Sequence, residues 1–231
     1  MNRFEEATHQ YFNGDIEYLS NSKFMERYTG GFSDSKKNMI AYQISNSSNN
    51  EIPLSKNDAL SVLDLNNKIA CDWGNCIHDS LHLYLKYRKK PKQKYLAEVV
   101  EKFVEQFGED WISEDMLWTD EYEIGATLDL HKMEGDTLVV GDCKTNNVLD
   151  KTNRGKMKAP LDHLRIRNKD KVELQTSLYK MWLVLSDKYP EITIDTPFEL
   201  RAYDWDGYKW TMIELEPVDV TRILQIRKAE I

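Results

Sequence analysis

The chain has 231 residues, of which 41% are hydrophobic and 30% charged, and its formal net charge is −8. This composition excludes wholesale disorder, and the acidic balance argues against a protein that coats nucleic acid without specificity, though not against an enzyme needing only a local basic track. No apolar run is long enough to span a bilayer, and the opening MNRFEEATHQYF lacks an apolar secretory stretch, so the expectation is one domain with an ample core in a reducing cytoplasm.

In chain order, HQYF and IEYL flank Asn13-Gly14, a pair suited to a two-residue hairpin turn. A short helix is expected near Ser22 to Tyr28, ended by Gly30-Gly31, and SNSSNN at 45–50 reads as a loop. Ser55 is a suitable N-cap for a helix through Leu63. Trp73, Ile77, Leu81 and Tyr84 fall at helical spacing and predict a separate amphipathic helix over 73–88, stopped by Pro91. Leu96 through Phe107 mark another helix, closed by Gly108. The period then changes. Strands are expected at 116–124, 127–131 and 137–142, the last two joined by a Glu134-Gly135-Asp136 turn. A long polar segment, 145–170, precedes a helix over 172–187 with Leu174, Leu178, Trp182 and Leu185 on its core stripe. Strands at 198–204 and 208–215 and a helix at 217–229 complete an α/β domain with a mixed sheet flanked by helices.

Cys71, Cys76 and Cys143 are odd in number and form no CxxC pair, so neither a disulfide framework nor a zinc site is expected, and three reduced, mostly buried thiols are. Two basic stretches stand out: Lys86 to Lys94 (KYRKKPKQK), with six cations in nine residues, and Lys151 to Lys171, with eight cations against two aspartates. Each reads equally as a phosphate track or as solvated surface charge.

The chemistry converges on three features. Asp129 and Asp142 lie on neighbouring strand-like segments joined by a tight turn, so two carboxylates can reach one place and hold a hard cation. Lys144 stands two residues beyond Asp142, on the same side of an extended chain. Gln175 and Tyr179 are four apart and share a helical face. Such a set suits phosphodiester hydrolysis, in which a metal polarises a phosphoryl oxygen and an ammonium stabilises developing charge. Singly, each feature is weak: Asp-x-Lys is also an ordinary surface ion pair, and Gln175 with Tyr179 an ordinary polar helix edge.

The order IGATLDL, VVGDCKT, LQTSLYKMWL resembles the PD-(D/E)XK nuclease superfamily, in particular its RecB-like and phage exonuclease branch. The resemblance implies that fold and a Mg²⁺- or Mn²⁺-dependent deoxyribonuclease. It assigns Asp129 and Asp142 to the metal, Cys143 to the metal through its backbone carbonyl, Lys144 to catalysis, and Gln175 and Tyr179 to substrate. Upstream, GNCIHDSLHLYL is similar to the branch's helix with a metal-ligating histidine, which would be His78; His82 follows one turn on as a weaker choice. Glu114 falls where the family often has a further acidic residue. Asn75 in place of Thr and the order Gly125-Ala126 depart from the pattern.

The resemblance covers most of the chain, weakly at the start and best from 114 to 182, and implies one nuclease domain over residues 1–231, with a hairpin and helices over about 1–110 and a catalytic core over about 111–231. It implies DNA as partner, without a membrane, in a bacterial or phage-infected cell. An exonuclease acting on linear ends in recombination or repair is expected, with room for a recombination or single-strand-binding partner protein and for oligomers. Two alternatives stay open: a sequence- or structure-specific endonuclease on the same fold, and a non-catalytic nucleic-acid-binding relative. No P-loop is present, so no motor, and no four-cysteine cluster, so no iron–sulfur centre.

Overall fold

The computed structural model describes residues 2–5, 8, 10–29, 34–45, 55–145, 147–150 and 155–231. Strands β1 (Asn2–Glu5), β2 (Gln10–Asn13) and β3 (Ile16–Ser20) precede helices α1 (Asn21–Thr29), α2 (Asp34–Ser45), α3 (Lys56–Tyr87) and α4 (Lys94–Phe107). Then come β4 (Ile112–Thr119), a 3-10 turn (Asp120–Tyr122), β5 (Ile124–Glu134), β6 (Thr137–Lys144), α5 (Asn168–Leu185), β7 (Phe198–Trp205), β8 (Trp210–Leu215) and α6 (Thr221–Glu230). The architecture is α/β with a mixed sheet flanked by helices, as expected from the change of period along the chain. No described helix is long and apolar enough to cross a membrane.

The sheet runs β1-β2-β3-β5-β6-β7-β8, with β4 also on β5; β3 on β5 and β6 on β7 are parallel, the rest antiparallel. The N-terminal strands therefore belong to the same sheet as the rest. The hairpin turns at Gly14, whose φ of +62° is the left-handed conformation that glycine adopts without strain. Two cores form on opposite faces. Leu174, Leu178 and Trp182 of α5 pack with Leu128, Leu138 and Val140 on one face, while Ile77 and Leu81 of α3 and Phe103 of α4 pack with Leu130, Val139 and Tyr203 on the other. The period-2 alternation of β6 supplies both: Val139 faces α3, Val140 faces α5.

Three expectations change. The helices at 55–63 and 73–88 are one helix of 32 residues, started by a Ser55/Asp58 capping box and ended at Arg88 in the left-handed region. The intervening stretch shows no apolar stripe because it is largely exposed, but nothing in it breaks a helix. Helix α2 and strand β1 are additional elements; α2 carries no apolar stripe, and β1 spans only four residues. Cys71 and Cys76 are exposed on the outer face of α3, and Cys143 alone of the three is buried. The expected Gly30-Gly31 stop and most of the 45–50 loop lie outside the described residues.

Candidate metal centre

The site lies where the sheet forks. Along one edge β5 pairs with β4 from Ile124 to His131. Along the other it pairs with β3 only at Ile124 and Gly125, and with β6 only from Leu130 to Glu134. Residues 126–129 thus have no strand partner on that edge among the described residues. Tyr11 of β2 closes one side of the gap, its Oη 2.8 Å from Thr127 Oγ1. A Cβ on Gly125 would stand 2.1 Å from Tyr11 Cγ, so this position excludes a side chain. Near the other side, the Asp129 side chain fills in for the missing ladder: Cys143 N–H donates to Asp129 Oδ2 at 3.1 Å.

Register brings three carboxylates into one row. Glu114 and Asp129 lie opposite each other between the pairs Ser113↔Leu130 and Asp115↔Leu128. The β5–β6 ladder ends at Leu130↔Gly141, one step before Asp129 and Asp142. Both β4 and β5 also turn over at this row. Ser113 faces α3, where its Oγ meets His82 Nδ1 at 3.0 Å, whereas Asp115, two residues on, accepts from Tyr189 beyond α5. Likewise Leu128 packs on the α5 side and Leu130 on the α3 side. In a regular strand residues two apart share a face. On β4 the reversal is absorbed at Glu114, whose φ is +49°; on β5 it falls between Leu128 and Leu130.

Helix α3 crosses the open row and supplies His78. Its Nδ1 is 3.5 Å from Asp129 Oδ2 and 4.0 Å from Glu114 Oε1. One donor atom from each of His78, Glu114 and Asp129 falls within 4.8 Å of the others, the spacing of ligands around one ion. His82, one turn on, is instead engaged with Ser113. Asp142 is fully buried beside Asp129, and Lys144 Nζ stands 2.5 Å from its Oδ2. Even so, neither Asp142 oxygen takes a well-directed hydrogen bond. A buried carboxylate crowded by Asp129 is costly to ionise, and the Lys144 ammonium is its counter-charge; a divalent ion would add to that compensation. The group at ligand spacing, the carboxylates of Glu114 and Asp129 and the His78 imidazole with Asp142 beside them, could hold a divalent ion.

The electrostatics reflect crowded negative charge. Burial, then the charges of Asp129 and Asp79, push Glu114 up to about 8. Burial raises Asp142 to about 7, with Lys144 opposing and Asp129 adding to the rise. Burial works to lower Lys144, but the charges of Asp142 and Asp129 outweigh it and hold the ammonium above its ordinary range. Tyr179 is raised well above a free phenol by burial and by the same two aspartates. On α5, Gln175 Nε2 donates to Tyr179 Oη at 2.6 Å. Both line a recess of about 210 Å³ with Tyr11, Asn21, Glu26 and Thr127.

The structure thus gathers His78, Glu114, Asp129, Asp142, Lys144 and Tyr179 at one place, with Gln175 on its rim. Cys143 sits between the two aspartates, its thiol buried on the α3 side. Tyr11 and Thr127 join the recess unannounced, because the packing of Tyr11 on Gly125 is a contact between distant parts of the chain. The basic stretches are partly spent on ion pairs: Lys90 with Glu101, Lys94 with Glu98, Arg167 with Asp170 and Lys169 with Glu173. Residues 151–154 of the second stretch lie outside the described residues. No family model matches the chain, and no curated protein matches it in sequence.

Proposed function

We propose that the chain is a Mg²⁺- or Mn²⁺-dependent deoxyribonuclease with a PD-(D/E)XK core, acting as an exonuclease on linear DNA ends. The observation that carries this reading is Asp142: a fully buried carboxylate with no well-directed donor, next to Asp129 and Lys144 at an open fork in the sheet. The motif order that resembles the superfamily supports it, because the register brings those motifs together.

Asp129, Asp142, Glu114 and His78 would hold the ion, with the Cys143 carbonyl as the further ligand the resemblance implies. A divalent cation supplies Lewis-acid polarisation of a phosphoryl oxygen and a lowered pKa for water. The chain's own groups do the rest. Lys144, kept charged by Asp142 and Asp129, stabilises negative charge developing on the phosphoryl oxygens. The buried Tyr179 phenol stays protonated and available as a donor at the recess wall. Gln175, bonded to Tyr179, holds that phenol in place and presents its own amide to the sugar–phosphate chain. The α3 and α5 layers flank the site, and the burial of Asp142 and Tyr179 strengthens the interactions that those two groups make.

The test is one assay of end-labelled linear DNA and closed circular DNA with Mg²⁺, with Mn²⁺ and with chelator. Linear DNA should be degraded in both metals and spared in chelator, while circles persist. Linearised circles would favour the endonuclease alternative, and intact DNA under every condition would overturn the nuclease reading.

A further inference from the structure

The basic stretch from Lys86 to Lys94 divides in two. Arg88, Lys90 and Lys94 are committed to Glu109, Glu101 and Glu98. Lys86 and Lys89 are exposed and make no ion pair among the described residues. Instead both ammoniums flank one ring: Lys86 Nζ lies 5.3 Å and Lys89 Nζ 5.7 Å from the centroid of Tyr87, itself 52% exposed. Backbone geometry sets this up. Tyr87 ends α3, and Arg88 takes a left-handed φ of +55°, so that the Lys89 N–H folds back to donate to the Leu83 carbonyl at 3.3 Å.

This corner connects to the carboxylate row by two routes. Along the helix, His78, His82 and Lys86 stand at four-residue steps and so share one stripe of α3, with a rise of about 12 Å from first to last. The stripe emerges as it runs, for His78 and His82 are partly buried and Lys86 is exposed. Through side chains, the Tyr87 and His82 rings lie edge to face with 6.2 Å between centroids. His82 Nδ1 is in turn 3.0 Å from the hydroxyl of Ser113, the residue before Glu114. At the inner end of this path stand Glu114, Asp129 and Asp142, in a chain of net charge −8. Such a place repels a polyanion unless positive charge stands along its approach. Lys86 and Lys89 put that charge one short helix stripe away from the ion-binding group.

We infer that the Lys86–Tyr87–Lys89 corner grips the phosphate backbone of the DNA strand whose scissile phosphate lies at the carboxylate row. A rise of about 12 Å corresponds to about three to four nucleotides at roughly 3.4 Å of strand each, which sets how far from the cut the grip falls. The groups offered are ammoniums at an exposed corner, so the contact is to phosphate and is blind to sequence. This inference rests on the proposed nuclease reading and names what that site requires of its substrate: charged backbone flanking the scissile bond on the α3 side.

The experiment measures binding of a fluorescein-labelled linear duplex to the intact chain by anisotropy in chelator, over salt from about 50 to about 200 mM. KM and kcat for cleavage of the same duplex in Mg²⁺ are followed over the same range. Two double variants remove equal charge from one stretch: Lys86→Gln with Lys89→Gln at the corner, and Lys90→Gln with Lys94→Gln at the ion pairs to Glu101 and Glu98. The corner variant should weaken binding on the order of tenfold and lower the slope of log affinity against log salt by about 2. Its KM should rise by a like factor with kcat within about twofold, and to the same extent on duplexes of unrelated sequence. The second variant should stay near wild type in all of these. Circular dichroism and melting confirm that both are folded. Equal effects of the two variants would make net charge alone responsible and overturn the grip. A corner variant with wild-type slope and KM overturns it too, as does a wild type whose affinity and KM ignore salt. Metal-dependent cleavage of linear DNA alongside any of those results leaves the nuclease reading standing and sinks only this inference, whereas a protein that neither binds nor cuts DNA fails both.

Discussion

Asp115 and Asp142 are both buried carboxylates, on β4 and β6, yet they live in opposite conditions. Asp115, 6% exposed, accepts from His131 Nε2 at 2.9 Å, from Tyr189 Oη at 2.8 Å and from Lys188 Nζ. Burial pushes its pKa up, but those three hydrogen bonds outweigh burial and leave it below the usual carboxylate range. Asp142 is wholly buried with a lysine at its side and no well-directed donor, and burial raises it to about 7. Burial alone therefore does not distinguish structure from function. What distinguishes them is satisfaction: Asp115 is complete within the fold, while Asp142 has the Lys144 ammonium alone against full burial and the charge of Asp129.

The largest expected break in this comparison is Asp142→Ala. It should lower metal-dependent cleavage by roughly three orders of magnitude while circular dichroism stays native; wild-type rates would remove Asp142 from the centre. Asp115→Ala should act on the fold instead. Stranding His131 and its neighbours should cost roughly 3 kcal/mol in urea unfolding, and a loss below about 0.5 kcal/mol would place Asp115 among ordinary surface pairs. Lys144→Ala should reduce turnover by about 10²–10³ with little change in metal affinity by calorimetry; loss of binding alone would make Lys144 a structural counter-ion.

The two aspartates should also bend the pH dependence of stability in opposite senses. Asp115, depressed in the fold, stabilises above its unfolded pKa, and that stability is lost as pH falls. Asp142 and Glu114, raised to about 7 and about 8, favour the fold when protonated, so the metal-free protein should lose stability as pH rises from their unfolded values near 4 through that range. Asp142→Asn should flatten this decline, and saturating Mg²⁺ should raise the melting temperature more at pH 8 than at pH 5. A flat metal-free profile would contradict the crowded-carboxylate description. The smallest effect belongs to Gln175→Ala, which removes one hydrogen bond to Tyr179 and should shift KM by about fivefold with turnover nearly unchanged.

Much of the site was readable in one dimension. Asp142 and Lys144 share a side because a strand repeats every two residues, and Gln175 and Tyr179 share a side because a helix repeats every 3.6. A tight turn at Gly135 makes 129 and 142 neighbours, because residues equidistant from a hairpin turn face each other. The helix pattern around Trp73, Ile77 and Leu81 likewise set His78 on the edge of an apolar stripe. The same local rules missed the continuity of α3, since an exposed helical segment carries no periodic signal. They also missed the turning over of β4 and β5, since a positive φ at a glutamate has no signature in composition.

Residue order and periodicity determined which side chains could be close: one aspartate on each of two adjacent strands, a lysine two residues on, a polar pair on a core helix and a histidine on another. Tertiary structure alone decided that they meet at a fork, because only the positions where β3 and β6 leave β5 define the gap. It alone decided that Glu114 comes within ligand spacing of His78 and Asp129, through a backbone reversal, and that Asp142 is wholly buried against Lys144. Strand pairing and burial are set by partners distant in the chain, and no local pattern encodes which hydrogen bonds will be missing.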